Sequence, residues 1–327
     1  MNIPKIAVIG AGNIGSRHLQ ALANVKTPLE IFIVEPNKDA FNVSLSRFLQ
    51  IENSNIHSIK STVIENLPKE IDLCIISTSS GSRFKILEEV TSIKTIKNLV
   101  LEKFLFTDEV SFFKAEEIID KQKIKTWVNT TRRSFPFYKK LRDYLEDSKY
   151  VSMLVTGGKW GLACNGIHIF DLFSMLQGDN QDYTIDTGYL DNHLYESKRQ
   201  GYIEFNGSIK IKNTDKGDAI FTCFSEEECP TVMSIHSDKG IFEIIESKDE
   251  CIYRIPINNF EIATSKMEIM PTSIAMTGIY EDIINNGTCE LPDYKKSMKL
   301  HLVFLRALLN KQNDITGDKG NKICLIT

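Results

Sequence analysis

Three glycines near the start of the chain have the spacing to hold a dinucleotide phosphate. Gly10, Gly12 and Gly15 fit the pattern G-x-G-x-x-G. In that pattern the first glycine permits a tight turn, the second lets backbone approach a pyrophosphate, and the third lets a helix pack against a strand. The helix that follows offers free N–H groups and a positive dipole end to the phosphates. The pattern indicates dinucleotide binding only where it follows a strand and opens a helix.

The flanking segments meet that condition. Lys5–Gly10 is a short apolar run ending in glycine, as a buried parallel strand should, and Asn13–Val25 has apolar residues at helical spacing. Leu29–Glu35 predicts a second strand and completes a strand–helix–strand unit. We therefore expect the whole loop, with Asn13 and Ile14, to bind a cofactor. The alternative is that the glycines only form the turn between the strand and the helix and bind no cofactor.

Glu35 ends the second predicted strand, about twenty residues after Gly15. A carboxylate there accepts hydrogen bonds from ribose hydroxyls and repels a 2′-phosphate, which favours NAD over NADP. The alternative is an exposed glutamate at a strand end. The neighbouring Pro36 and Asn37 are typical turn residues and fit either interpretation.

Strand and helix patterns alternate through the first part of the chain, as in a parallel sheet with crossover helices. Further strands are predicted at Ile56–Ile59, Leu73–Ser77, Leu99–Glu102 and Thr126–Asn129, and helices at Asp39–Leu49, Arg83–Val90 and Asp108–Lys121. Ser77 and Glu102, at the ends of two of these strands, are assigned to the cofactor site.

The pattern changes near Thr131–Pro136, where short strand-like runs separated by turn signals such as Asn206-Gly207 take over. Helices are predicted in this part at Phe137–Leu145, Cys164–Leu176, Thr272–Asn285 and Tyr294–Leu309. The chain of 327 residues is therefore expected to form two domains, residues 1–131 and residues 132–327.

Composition narrows the class of protein. Hydrophobic residues make up 42% and charged residues 25%, with a net charge of −4, so no footprint for nucleic acid or an anionic membrane is visible. No apolar run approaches the roughly 20 residues of a membrane-spanning helix, and the first strand leaves no room for a signal peptide. Seven cysteines without a CxxC pair suggest reduced thiols in the cytoplasm. His57, His193 and His236 lack ligand spacing, so no metal is expected.

Several segments resemble the glucose–fructose oxidoreductase / inositol dehydrogenase (Gfo/Idh/MocA) family. They are GAGNIGSRHLQAL, Leu101-Glu102-Lys103-Phe104, the stretch Asn129–Pro136, the segment Gly157–Leu172 and the ending Lys322–Thr327, which is similar to the family's C-terminal strand. The resemblance covers nearly the whole chain. It implies an α/β protein with an N-terminal Rossmann parallel sheet and a C-terminal α/β domain. That domain would hold a large open, mostly antiparallel sheet, through which the chain forms a homo-oligomer, a dimer or a tetramer.

The same resemblance implies an NAD-dependent oxidoreductase acting on a hydroxyl or carbonyl of a sugar, nucleotide sugar or cyclitol. Such hydride transfer needs a group to exchange the hydroxyl proton and a cation or donor to stabilise the alkoxide. By resemblance, His168 is the acid/base, Lys103 the positioning cation, and Glu102 a brace for the loop or for the nicotinamide side. Without the resemblance, His168 also fits a core histidine and Lys103 a solvated strand-end lysine.

Substrate contacts are expected from Lys103, Arg132, Trp160, Cys164, Asn165 and His168. Trp160 offers a flat surface for a sugar ring. Arg132, with Arg133 and Lys159, forms a basic cluster that suits an anionic or nucleotide-linked sugar. The alternative is that these cations pair with the domain's own acidic residues. Asp171, one turn after His168, could orient its imidazole, cap a helix or take part in a domain contact.

Three positions depart from the family pattern. Cys164 stands where members often carry an aspartate one turn before His168, and a thiol is a poor replacement for a carboxylate. Phe104 replaces the usual proline after Lys103, and Arg83 lies where many members have histidine. Two alternatives therefore stay open: an NAD-retaining glycosidase or epimerase without net redox, and a non-catalytic NAD-binding protein. Cys164 as a nucleophile is a further alternative.

Overall fold

The computed structural model describes residues 3–52, 55–179, 181–213, 215–225 and 229–327, with the side chain of Thr272 outside the description. The chain divides into two compact units. The first unit consists of Met1–Thr131 and Met270–Met298, and the second of Arg132–Ile269 and Lys299–Thr327. The structure therefore divides the chain after Thr131, where the sequence pattern changes, but adds residues 270–298 to the first unit.

The first unit is built on a six-stranded parallel sheet with the strand order β3-β2-β1-β4-β5-β6. Its strands are β1 (Lys5–Ile9), β2 (Leu29–Val34), β3 (Ile56–Thr62), β4 (Glu70–Ile76), β5 (Thr95–Glu102) and β6 (Lys125–Asn129). The helices between them are α1 (Asn13–Ala23), α2 (Lys38–Leu49), α3 (Ser80–Ile93) and α4 (Glu109–Gln122). The central strands are buried on both faces, which is why they read as continuous apolar runs. This arrangement confirms the predicted Rossmann sheet.

Residues 270–298 join the first unit because their helix α7 (Thr272–Asn286) completes its core. Met276, Ile279 and Ile283 of α7 pack in one buried cluster with Leu19 and Leu22 of α1. The hydroxyl of Thr277 also donates to the carbonyl oxygen of Ala21 at 3.0 Å. The sequence pattern shows α7 as a helix but does not show which sheet it covers.

The second unit contains an eight-stranded sheet with the order β16-β15-β14-β13-β7-β12-β11-β8, in which only the β7–β12 pair is parallel. Its strands are β7 (Val151–Gly158), β8 (Thr184–Leu190), β11 (Gly207–Lys212), β12 (Asp218–Phe224), β13 (Val232–Ser237), β14 (Gly240–Ile245), β15 (Glu250–Arg254) and β16 (Ala263–Lys266), with a separate pair β9 (Tyr195–Glu196) and β10 (Ile203–Glu204). The helices are α5 (Pro136–Leu145), α6 (Leu162–Leu176) and most of α8 (Tyr294–Thr316). The predicted α/β fold class is confirmed.

Strict alternation of burial gives this sheet two different faces. In β7, Val151, Met153 and Val155 are buried on the face that carries α5 and α6, whereas Leu154 is 46% exposed. We call the second face, on which Leu154 lies, the outer face. Its side chains form cross-strand rows, one of which runs through Ile220, Leu154, Ser234, Glu243 and Ile252.

The predicted C-terminal strand at Lys322–Thr327 is wrong, because these residues form no strand. Their backbone is attached to β10, where the N–H of Ile203 donates to the carbonyl oxygen of Leu325 at 2.8 Å. Cys324 and Ile326 are buried, so side-chain packing holds the segment in place. Within the described residues, no helix has the length and apolar character needed to cross a membrane.

Candidate functional site

The glycine loop between β1 and α1 leaves no room for side chains at two of its three glycines. Gly10 has a φ of +87°, and a Cβ there would lie 2.9 Å from both the Cγ2 and the backbone nitrogen of Thr78. A Cβ on Gly15 would overlap the carbonyl oxygen of Gly10, so α1 packs directly on the loop. Both positions therefore require glycine for steric reasons.

The N-terminus of α1 is open where a phosphate group would sit. A Cβ on Gly12, the N-cap residue, would meet no atom within 4 Å. No side chain caps this helix end, and its first turn carries no acidic residue. The exposed side chains of Asn13 and Ile14 follow directly. Free N–H groups and open space beside the backbone fit the pyrophosphate of a dinucleotide.

Glu35 and Ser77 both contact the backbone of this loop. One carboxylate oxygen of Glu35 accepts a hydrogen bond from the N–H of Ala11 at 2.8 Å, and the other accepts from the N–H of Asn37 at 2.9 Å. The hydroxyl of Ser77 donates to the carbonyl oxygen of Gly10 at 2.5 Å. Because each carboxylate oxygen has two acceptor sites, Glu35 retains capacity for ribose hydroxyls.

These residues meet where the order of the sheet reverses. β1 lies between β2 and β4, so chain connections leave it in opposite directions. The loops after β1 and β4 therefore separate and form a crevice, which is the usual ligand position in open parallel sheets. The predicted cofactor residues Gly10, Gly15, Glu35 and Ser77 lie together at this place.

Glu102 lies deeper than the sequence suggests, at the buried end of β5, where it is 5% exposed. Its Oε1 is 2.8 Å from Nε2 of His18 and also accepts from the side-chain amide of Asn129. The hydroxyl of Tyr280 lies 2.5 Å from Nδ1 of the same imidazole. Glu102 therefore braces α1 and α7 from within the core, as part of a buried chain Tyr280–His18–Glu102.

The protonation states in this buried chain follow from its contacts. Burial raises the pKa of the Tyr280 phenol well above its ordinary value, so the hydroxyl is the donor to Nδ1. With Nδ1 of His18 accepting this hydrogen bond, Nε2 donates to Glu102, which satisfies both neighbours. Burial alone would raise the pKa of Glu102, but hydrogen bonds from His18 and Asn129 outweigh it and lower the pKa below its ordinary value.

Arg83 holds the segment that follows Lys103. Its buried guanidinium donates to the carbonyl oxygens of Phe104 and Leu105, the latter at 2.9 Å, and to that of Thr78 after β4. Lys103 itself is half-buried, and the Lys103–Phe104 peptide bond is cis. The arginine that departs from the family pattern thus ties the loop after β5 to the loop after β4.

In the second unit, a carboxylate that the sequence analysis missed binds the start of α6. The two oxygens of Glu204 in β10 accept from the N–H groups of Ala163 and Cys164 at 2.8 and 2.9 Å. The pair satisfies two of the four unpaired donors at this helix end and complements its dipole. Cys164 is half-buried beside this carboxylate.

The remaining predicted substrate residues lie at or near the same helix. His168 is half-buried on α6, one turn beyond Cys164 and therefore on the same helix face. Asn165 donates its side-chain amide to the carbonyl oxygen of Trp160 at 2.6 Å. The indole N–H of Trp160 donates to the carbonyl oxygen of Thr222 at 2.8 Å, which orients the ring on the sheet.

The two arginines form ion pairs within the second unit. Arg132 makes a two-pronged contact with Glu246 at 2.8 and 2.7 Å, and Arg133 makes one with Asp171 at 2.8 and 2.7 Å. These contacts are the alternative given for the basic cluster, pairing with acidic residues. They also assign Asp171, which is 1% exposed, to a buried ion pair with Arg133.

Comparison with known proteins agrees with this geometry. Residues 4–130 match the model of the oxidoreductase family with an NAD-binding Rossmann fold, GFO_IDH_MocA. This match confirms the resemblance seen in the sequence. No protein with a curated description matches the sequence at a significant level.

Solved structures extend the likeness to both units. An oxidoreductase from Agrobacterium radiobacter in complex with NAD⁺, L-tartaric acid and magnesium has a TM-score of 0.72 at 13% identity, covering 97% of this chain and 99% of its own. UDP-N-acetylglucosamine 3-dehydrogenase from Acidithiobacillus ferrooxidans has a TM-score of 0.68 at 12% identity, covering 94% and 98%. The super-repressor mutant of Gal80p from Saccharomyces cerevisiae has a TM-score of 0.72 at 12% identity, covering 96% and 97%. At these identities the likeness shows the fold.

Proposed function

We propose that this chain, whose residues 4–130 match the model of the GFO_IDH_MocA family of oxidoreductases, is an NAD-dependent oxidoreductase of CH–OH groups. The substrate is a hydroxyl or carbonyl of a sugar, nucleotide sugar or cyclitol. One observation carries the proposal: a sterically required glycine loop, an uncapped helix N-terminus and the carboxylate of Glu35 meet at one crevice. The sugar dehydrogenase among the structural neighbours supports the substrate class.

Two side chains are proposed for the chemistry, His168 as acid/base and Lys103 as positioning cation. NAD supplies the hydride acceptor when bound. The imidazole of His168 takes the hydroxyl proton, because histidine exchanges protons near neutral pH. The ammonium of Lys103 holds the same oxygen as negative charge develops on it.

Turnover and binding measured together test these roles. The purified protein is incubated with NAD⁺ and a panel of sugars, nucleotide sugars and cyclitols, and NADH absorbance is followed. His168→Ala should lower kcat by about 10²- to 10⁴-fold while NAD affinity stays unchanged, and Lys103→Met should lower kcat/KM. His193→Ala is the control, because His193 is exposed and lies outside the site. Full activity in His168→Ala would remove the proposed acid/base.

Glu35 supports the choice of NAD over NADP. A 2′-phosphate would bring two negative charges beside its carboxylate, which already contacts the loop backbone. We expect Glu35→Gln to lower the ratio of NAD affinity to NADP affinity by about tenfold or more, where a factor of ten corresponds to 1.4 kcal/mol. Calorimetric titration with each cofactor measures the change. A wild-type protein that binds NADP more tightly than NAD would contradict this assignment.

A second candidate function is favoured by Cys164. The carboxylate of Glu204 binds the N–H groups at the start of α6, so it does not replace the aspartate that family members often carry one turn before His168. In this second proposal the chain is either a non-catalytic NAD-binding protein or an NAD-retaining glycosidase or epimerase. The fold that it shares with a repressor supports the non-catalytic form. NAD⁺-dependent cleavage or epimerisation without NADH would identify the second type, and tight NAD binding without any turnover the first.

The proposal includes a homo-oligomer, a dimer or a tetramer, formed through the outer face, and a cytoplasmic location. Large apolar side chains on this face stay exposed, including Leu154 at 46% and Phe224 at 48%. Exposed apolar surface on a sheet is typical of a subunit interface. The seven cysteines, all among the described residues, form no disulfide bond, as expected in a reducing compartment.

A further inference from the structure

Arg83 of α3 has its guanidinium buried in the first unit. The side chain is 1% exposed and belongs to the helix face that also carries Ser80, Leu87 and Val90. Charged side chains are rarely buried to this degree unless their charge and donors are bound, because desolvation is costly. The contacts of this guanidinium therefore show what its burial achieves.

The guanidinium binds the backbone of two loops. One terminal nitrogen donates to the carbonyl oxygens of Phe104 and Leu105, the latter at 2.9 Å, and the other donates to the carbonyl oxygen of Thr78. Phe104 and Leu105 directly follow Lys103 in the chain. Because a guanidinium is planar and its N–H groups have fixed directions, these contacts hold the carbonyl oxygens at fixed positions relative to one another. The two residues after Lys103 are thereby fixed to the loop after β4.

The chain is also held directly before Lys103 and farther along the same loop. Glu102 precedes it at 5% exposure, and its carboxylate is bound to the imidazole of His18 at 2.8 Å. Phe106 is 0% exposed and meets the ring of Phe84 in α3 edge-to-face, with centroids 5.9 Å apart. Lys103, which is half-buried, therefore lies between backbone positions that are held in the core.

We propose that Arg83 is a positioning residue for Lys103. By holding the carbonyl oxygens of Phe104 and Leu105, it fixes the backbone from which the ammonium group of Lys103 reaches the substrate oxygen. The inference rests on the proposed function, in which Lys103 holds that oxygen as negative charge develops on it.

A flexible side chain needs such a fixed origin. The ammonium group of a lysine is carried by a four-carbon stem, so a shift of the backbone adds to the freedom of the stem itself. Groups that stabilise a transition state have to be held within about 0.5 Å of their working position. A misplacement of about 1 Å, caused by a residue that touches no reacting atom, can cost about 10²-fold in rate.

A double-mutant cycle tests whether Arg83 acts through Lys103. With saturating NAD⁺ and the substrate that gives the highest turnover, Arg83→Met should lower kcat/KM by about tenfold to 10²-fold. Lys103→Met also lowers kcat/KM. Adding Arg83→Met to it should change kcat/KM by no more than about twofold, because no ammonium group is left to position. An arginine that only stabilises the fold would give losses that multiply.

Hydrogen–deuterium exchange tests the same contacts without a substrate. Peptides covering residues 103–107 should exchange about tenfold faster or more in Arg83→Met, because two carbonyl oxygens lose a charged hydrogen-bond donor. Comparison with residues 5–9 of β1 separates this local loosening from global unfolding. Arg83→Lys keeps the charge but cannot hold three carbonyl oxygens in one fixed plane, so its exchange should lie between the two. It replaces Arg83→Met if that variant does not fold.

Lys85→Met is the matched control, because Lys85 is an exposed cation on the same helix and should affect neither exchange nor kcat/KM. The role of Arg83 is overturned if residues 103–107 exchange as in the wild type relative to β1, or if the losses in the cycle multiply. A wild type without turnover would instead remove the proposed oxidoreductase. The exchange of residues 103–107 would then still decide whether Arg83 holds the backbone of Lys103.

Discussion

The third glycine of the loop is the residue that tolerates a side chain least. A Cβ on Gly15 would overlap the carbonyl oxygen of Gly10, which itself accepts from Ser77. We predict that Gly15→Ala costs about 1–3 kcal/mol of unfolding free energy, the usual range for an overpacked site. It should also weaken NAD binding by about tenfold or more, because the loop must move away from α1. Urea unfolding and calorimetric titration measure the two effects.

A second glycine provides the control for that substitution. Gly278 lies exposed in α7, and a Cβ there would meet no atom within 4 Å. Gly278→Ala should therefore stabilise the protein by about 0.5–1 kcal/mol, since alanine loses less backbone entropy in a helix. NAD affinity should stay as in the wild type. Equal losses in both variants would mean that the loop does not need glycine at Gly15.

Residues whose roles depend on neighbours along the chain were predictable, and residues whose partners are distant were not. Glu35 was found because a strand end at a fixed distance after the glycines is a local signal. His18 takes its role from Glu102, 84 positions away, and from Tyr280, 262 positions away. Glu204 caps α6 from about 40 positions beyond it. No local pattern in one sequence encodes such pairings.

The buried chain Tyr280–His18–Glu102 links three elements, α7, α1 and β5. Because the folded pKa of Glu102 is lowered, the folded state favours the ionised carboxylate. Its contribution to stability is present above the unfolded pKa of about 4.3 and is lost as pH falls through the folded pKa. The unfolding free energy of the wild type should fall between pH 6 and about pH 3. We predict a smaller fall in Glu102→Gln, because glutamine does not titrate.

Urea unfolding at a series of pH values measures this slope. Glu117→Gln on α4 is the matched control, since its carboxylate is exposed and lies outside the buried chain, and it should follow the wild type. Tyr280→Phe gives a second readout. It leaves Nδ1 of His18 without its donor in the core and should cost about 1–3 kcal/mol at neutral pH. An acid slope unchanged by Glu102→Gln would show that the carboxylate is not preferentially ionised in the folded protein.

Element types were more predictable than the place of each element in the fold. Periodicity located α7 at nearly its observed bounds, yet its apolar stripe could cover either sheet. The segment Lys322–Thr327 has the apolar content of a strand but forms none, although the N–H of Ile203 in β10 donates to the carbonyl oxygen of Leu325. An apolar run of that length predicts burial, and burial by side-chain packing alone leaves no strand.

The two sheets of the molecule differ in how much of each face is exposed to solvent. The parallel sheet of the first unit is covered by helices on both faces, as such sheets require. The sheet of the second unit has α5 and α6 on one face, while its outer face keeps half-buried and exposed side chains in cross-strand rows. One row contains both apolar and polar residues, Ile220, Leu154, Ser234, Glu243 and Ile252. Such a mixed surface can face water or a second copy of itself.

We predict that the wild-type protein is a dimer or tetramer at micromolar concentration and that Leu154→Lys dissociates it. Leu154 lies on the central strand β7, so a buried ammonium group there would be desolvated without a partner in the interface. Ile257→Lys is the control, because Ile257 is 90% exposed and lies outside the strands of the sheet. Sedimentation velocity and light scattering give the mass of each variant. A stable interface buries about 1,200–2,000 Å² of surface, so one formed through the outer face would include Leu154. A monomeric wild type, or a Leu154→Lys variant that keeps its mass, would show that the outer face stays in water.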